Sequence, residues 1–154
     1  MPTVTMEQPP VEILEIRKEI EIAAPIEIAF EALLAELGPE GQMPDGKPYQ
    51  MKIEPWPGGR WYRDLGNNSG HFWGHVQVIK PPTLLEIIGP MPMSFPAINH
   101  LQYRLKAEGN GTRLTLHHRA MGLIPSEHRD AMPKGWDHKL ERVREIAKSR
   151  MHST

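Results

Sequence analysis

Cysteine is absent from this 154-residue chain. That excludes disulfides, thiolate zinc sites and cysteine nucleophiles, and it matches a reducing compartment. No stretch of 18 apolar residues occurs either, so no segment reads as a bilayer span and no membrane insertion is expected. The start, Met1-Pro2-Thr3-Val4-Thr5-Met6-Glu7, lacks a basic region followed by an apolar run, which leads us to expect a soluble cytoplasmic protein. Charge of one sign is lacking too. Formal net charge is -1, with acids and bases interspersed, so there is no basic stripe of the kind a phosphate backbone requires, and nucleic acid is disfavoured as a partner.

What is present is proline and glycine, 16 and 13 residues, falling between apolar runs as punctuation and not in one low-complexity block. The length fits one domain large enough to bury a core. We assign residues 1–10 to a flexible leader, 11–150 to a single domain, and Arg150 to Thr154 to a frayed end. Leu14, Ile16, Ile20 and Ile22 share one parity with charges mostly in the other, which predicts a strand with one wet face. Pro25 then suits a helix start. Ile26, Phe30, Leu33, Leu34 and Leu37 recur at helical spacing until Gly38 stops them.

From Tyr49 the period changes to two, predicting strands near 49–54, 60–66, 71–80, 84–89, 97–108 and 112–121. Asn67-Asn68-Ser69-Gly70 and Glu108-Gly109-Asn110-Gly111 read as hairpin tips, because asparagine and glycine tolerate positive φ. From about Lys134 to Lys148, Trp136, Leu140, Val143 and Ala147 form an apolar stripe opposite charges. A twisted seven-stranded antiparallel sheet cannot leave its apolar face open, and this longest helix is the element able to cover it. The fold class is therefore α+β, a curved sheet wrapped around a long C-terminal helix.

The order strand, helix, six strands, long helix resembles the helix-grip fold of START-like domains. The chain resembles in particular the branch named for the activator of the heat-shock protein ATPase, often grouped with polyketide cyclases. Ala24-Pro25, Pro57-Gly58-Gly59-Arg60, Gly74 to Pro81 with Leu84, Gly111-Thr112-Arg113-Leu114 and Gly135-Trp136 carry the resemblance across residues 14–148. It implies a hydrophobic cavity between sheet and C-terminal helix, without implying a reaction or a cofactor. Pro92, Pro96 and the methionines of Met91 to Pro96, together with the aromatic run His71-Phe72-Trp73, depart from the pattern at the expected cavity mouth.

Strand parity places Trp61, Phe72, Asn99, Leu101, Tyr103, Leu116, His118, Trp136 and Leu140 as the lining of that cavity. His118 shares a parity with Leu114 and Leu116 that faces inward. It either orients a ligand or acts as a weak acid or base, or it is a rim histidine bonded to a neighbour. The eight histidines lack metal-ligand spacing, and no metal site is expected. No Ser-His-Asp arrangement or elbow motif is visible, so no catalytic residue is assigned. Glu54 and Asp64 read as solvated strand charges, the alternative being proton transfer with His118. The expected function is binding of a small hydrophobic or aromatic molecule. A cyclase or hydratase in the same pocket and a module activating a chaperone ATPase are the alternatives. A homodimer through a strand edge or helix surface is compatible with the sequence and not specified by it.

Overall fold

The computed structural model describes residues 10–92 and 94–152. Of the expected leader, all but Pro10 lies outside the described residues. The elements are β1 (Glu12–Ile22), α1 (Ile26–Leu37), β2 (Met51–Ile53), β3 (Arg60–Gly66), β4 (Ser69–Lys80), β5 (Leu84–Gly89), β6 (Ala97–Glu108), β7 (Gly111–Gly122) and α2 (Ser126–Met151). One seven-stranded sheet runs in the order β1-β7-β6-β5-β4-β3-β2, and every neighbouring pair is antiparallel. Hairpins therefore connect β2 through β7 in succession, while β1 closes against β7 across the whole chain. This is the α+β helix-grip architecture expected from the sequence.

The turn chemistry works as anticipated. Asn67 and Asn68 take φ of 54° and 58° at the β3–β4 tip, and Gly109 takes 57° at the β6–β7 tip. In the Pro57-Gly58-Gly59 turn, Gly58 has φ 82°. A Cβ built on Gly59 would stand 1.9 Å from the Glu54 carbonyl oxygen, so this glycine permits a close backbone approach that no side chain allows.

Two elements, α2 and β2, depart most from the bounds read in the sequence. The second helix starts at Ser126, well before Lys134, with Pro125 extended ahead of it and Pro133 inside it. A proline within a helix removes one backbone bond and crowds the preceding turn; here the helix is held by burial of Trp136, Leu140, Val143, Ile146 and Ala147, the larger of which contribute about 1.5–3 kcal/mol each. It also continues through Met151, into the end expected to fray. Strand β2 is shorter than 49–54, because Gln50 sits at φ 62° and breaks the extended run.

The core fills the space between the inner sheet face and the two helices. Leu14, Ile16, Ile87, Leu101, Leu114 and Leu116 from the sheet meet Phe30 and Leu33 of α1 and Leu140 and Val143 of α2. Among the described residues, no helix is long and apolar enough to cross a membrane.

Candidate functional site

Eight of the nine residues expected to line the interior are buried there: Trp61, Asn99, Leu101, Tyr103, Leu116, His118, Trp136 and Leu140. Phe72 is the exception and the sequence placement is corrected. It is 39% exposed, with its ring 4.9 Å from that of His75. The cause is a bulge between β3 and β4, where Trp61 pairs with Gly74 and Tyr62 with Phe72. The extra residue inverts parity, so Trp73 turns inward in place of Phe72 and is buried. The same bulge turns His71 and His75 to opposite faces.

Three of the buried side chains form one polar chain. Trp136 Nε1 donates to His118 Nδ1 at 3.0 Å, and His118 Nε2 lies 2.7 Å from Asn99 Oδ1. Asn99 Nδ2 in turn donates to the carbonyls of Gly89 (3.3 Å) and Pro90 (3.1 Å). An indole can only donate, so His118 Nδ1 must be the acceptor and Nε2 must carry the proton that Asn99 accepts. Imidazole is thereby fixed as one neutral tautomer. Burial, aided by the charge of nearby His128, pushes its pKa down to about 4. With both nitrogens engaged, His118 cannot take a proton without losing the Trp136 bond, so the chain positions side chains and does not offer a free base.

A second buried polar pair has no counterpart in the sequence reading. Glu36 of α1, 2% exposed, accepts from Lys139 Nζ of α2 at 3.0 Å. The same ammonium lies 5.2 Å from the Tyr49 ring and 5.8 Å from the Trp73 ring, in cation–π range of both. Burial, and then the charge of Glu36, raise the Tyr103 phenol well above its ordinary range, so it stays protonated. The available signal was positional: Glu36 continues the helical line Ala29, Ala32, and Lys139 falls one turn after Trp136.

Aromatic rings complete this wall. Trp73 meets Tyr49 at 5.3 Å and Trp61 at 5.0 Å, both near right angles, a favourable arrangement for such pairs. Trp61 Nε1 donates to the last carbonyl of α1, Leu37 O, at 2.8 Å. Trp73 Nε1 and His128 Nε2 are buried without a hydrogen-bond partner among the described residues.

At one end, the β5–β6 connection folds over the interior. Met91 N donates to Trp73 O at 2.9 Å, Met91 is buried at φ 55°, and the Phe95 ring stands 5.4 Å from that of His128 on α2. The residues expected around an open cavity are in contact with one another beneath this cover: Tyr103 and His118 rings lie 6.4 and 5.5 Å from Trp136. Open hollows lie on the outer sheet face, one of about 600 Å³ among charged groups such as Lys80, Arg104 and Arg113 and an apolar one of about 300 Å³ among Ile13, Ile88, Ile98 and Met121.

Glu54 and Asp64 take no part in the interior. Glu54 holds Arg60 through both oxygens at 2.8 and 3.0 Å, and Asp64 accepts from Lys52 at 2.8 Å. Among the described residues, no three His, Cys, Asp or Glu side chains converge as a metal site would need.

Residues 23–148 match the family described as activator of Hsp90 ATPase homolog 1-like protein, and the chain belongs to that family. No curated protein sequence matches it. Its fold is similar to that of an uncharacterized protein from Rhizobium leguminosarum, with TM-score 0.72 and 18% identity over 91% of this chain and 97% of the other. It is also similar to CalU16 from Micromonospora echinospora, at TM-score 0.60 and 19% identity over 93% and 89% of the two chains. Ara h 8.0201 shares the fold at TM-score 0.65 and 11% identity, over 90% of this chain and 99% of that one.

Proposed function

We propose that this member of the activator of Hsp90 ATPase homolog 1-like family binds a small hydrophobic or aromatic molecule between the inner sheet face and α2. The observation that carries the reading is the His118–Asn99–Trp136 chain, which spends its hydrogen bonds internally and leaves an uncharged wall among Tyr103, Trp136 and Leu116. Such a wall favours apolar surface and offers no ionised group to attack or to deprotonate it. Trp61, Asn99, Leu101, Tyr103, Leu116, His118, Trp136 and Leu140 form its lining, and Trp73 takes the place first given to Phe72.

Because these side chains touch one another, a ligand reaches them only when the cover opens. Met91 and Phe95 of the β5–β6 connection and the first turns of α2 are the parts that separate, parting the Phe95–His128 contact. Met91 and Met132 flank this opening, and methionine repacks at low cost. Native mass spectrometry of freshly purified protein, followed by denaturing extraction, is expected to reveal a discrete adduct released as an apolar molecule. Stripped protein is expected to bind naphthyl compounds with quenching of its buried tryptophans, and binding is expected to slow amide exchange at Met91, Ser94 and Phe95 and at the start of α2. Absence of an adduct, of quenching and of any exchange change would overturn the reading.

A further inference from the structure

The indole of Trp73 carries a polar atom that the fold leaves unused. The residue is 2% exposed, and its Nε1–H has no acceptor among the described residues, although buried donors are nearly always paired. The other two buried indoles follow that rule: Trp61 donates to Leu37 O at 2.8 Å and Trp136 to His118 Nδ1 at 3.0 Å. The surroundings of Trp73 offer rings and a cation in place of an oxygen. Tyr49, Trp61 and His71 stand at 5.3, 5.0 and 6.4 Å; an aromatic face accepts an N–H only weakly, and neither ring nitrogen of His71 is bonded to the indole. The Lys139 ammonium, 5.8 Å from the ring, has no acceptor to give.

The local charge balance narrows what fits beside that donor. Lys139 is already neutralised by Glu36 at 3.0 Å, and Tyr103 stays protonated. Arg63, the other cation near this cluster, donates to Tyr49 O at 3.1 Å and is only half-buried, so water shares its charge. A ligand carboxylate placed here would be a second anion next to one ammonium, and burying an unpaired charge is strongly unfavourable. A carbonyl oxygen requires only a donor.

We propose that Trp73 Nε1–H is the hydrogen-bond donor that orients the ligand by a neutral carbonyl oxygen, making the interior selective for aromatic carbonyl compounds over carboxylates of the same skeleton. This rests on the interior being the binding site, as set out under the proposed function. It assigns Trp73 a specificity role distinct from the apolar lining, one that the bulge at residue 73 creates by turning this side chain inward.

The test uses three probes with one ring system: acetylnaphthalene, ethylnaphthalene and naphthoate, titrated calorimetrically into the full chain at neutral pH. The wild type is expected to bind the ketone about tenfold more tightly than the ethyl compound, one hydrogen bond's worth, and naphthoate more weakly than either. Trp73→Phe is expected to bring ketone and ethyl compound within about twofold, the ethyl affinity being retained. A ketone preference that survives in Trp73→Phe, or naphthoate bound as tightly as the ketone, overturns the assignment. Should the variant not fold, the wild-type Trp73 indole N–H resonance decides: it is expected to move downfield with the ketone and not with the ethyl compound, and an unmoved resonance overturns the assignment. Binding of ethylnaphthalene without any ketone preference defeats the Trp73 role alone. Failure of all three to bind defeats the interior site itself, and the role with it.

Discussion

Acid should weaken this protein through His118 in particular. In the unfolded chain an imidazole titrates near 6.5, whereas in the fold His118 is driven to about 4 by burial and by His128. Between those values the unfolded state binds a proton that the native state refuses, so stability rises with pH across the window and is lost as pH falls from 6.5 toward 4. For this one group the loss between pH 7 and pH 4.5 comes to roughly 2–3 kcal/mol, a large fraction of ordinary domain stability. His118→Gln isolates it, since an amide can accept from Trp136 and donate to Asn99 but does not titrate. Urea unfolding of both proteins at pH 7 and pH 4.5 measures the difference directly. The wild type is expected to lose roughly 2–3 kcal/mol more than the variant over that interval. His128, also lowered by burial, acts in the same direction in both proteins, and only its charge acting on His118 remains in the difference. Parallel losses in the two proteins, within about 0.5 kcal/mol, would refute the buried neutral imidazole.

Further substitutions probe the rest of the interior. Trp136→Ala is expected to cost about 3–5 kcal/mol, combining a cavity with an unpaired His118 Nδ1; an unchanged thermal midpoint would show that α2 does not rest where we place it. Lys139→Met leaves the buried Glu36 without its partner and should cost about 3–5 kcal/mol, while the double variant Glu36→Leu/Lys139→Met recovers most of it. Equal stability of the single and double variants in urea would dispose of that argument. Gly59→Ala forces a Cβ against the Glu54 carbonyl and should lower the urea midpoint by the equivalent of about 1–3 kcal/mol, so a midpoint at the wild-type value would mean the turn adapts freely.

Most of the sheet was legible because alternation is a local signal: β3, β5 and β6 fall where period two places them. Parity also put Asn99 and His118 on the same inner face, and the β6–β7 hairpin brings them within bonding distance. Phe72 was misplaced because a bulge shifts parity by one residue without any mark in the pattern itself. The start of α2 was hidden by Pro133, which argues against helix locally and is overruled by packing further along. Glu36 and Lys139 were passed over for a related reason. A charged residue in a helix reads as solvent-facing, and only the approach of α1 to α2 pairs these two out of water.

The place of β1 in the sheet order has a consequence for how the chain is made. Among the described residues its only strand neighbour is β7, through pairs running from Ile22–Thr112 to Glu12–Gly122, and its inner face is sealed by α2 with Lys18 reaching Asp137 at 2.9 Å. During synthesis β1 must therefore wait, its Ile16, Ile20 and Ile22 unsheltered, until β7 and α2 have been made. Such long-range closure slows folding and leaves the partly made chain with apolar strand surface open to aggregation, a hazard that belongs to translation and not to the finished fold.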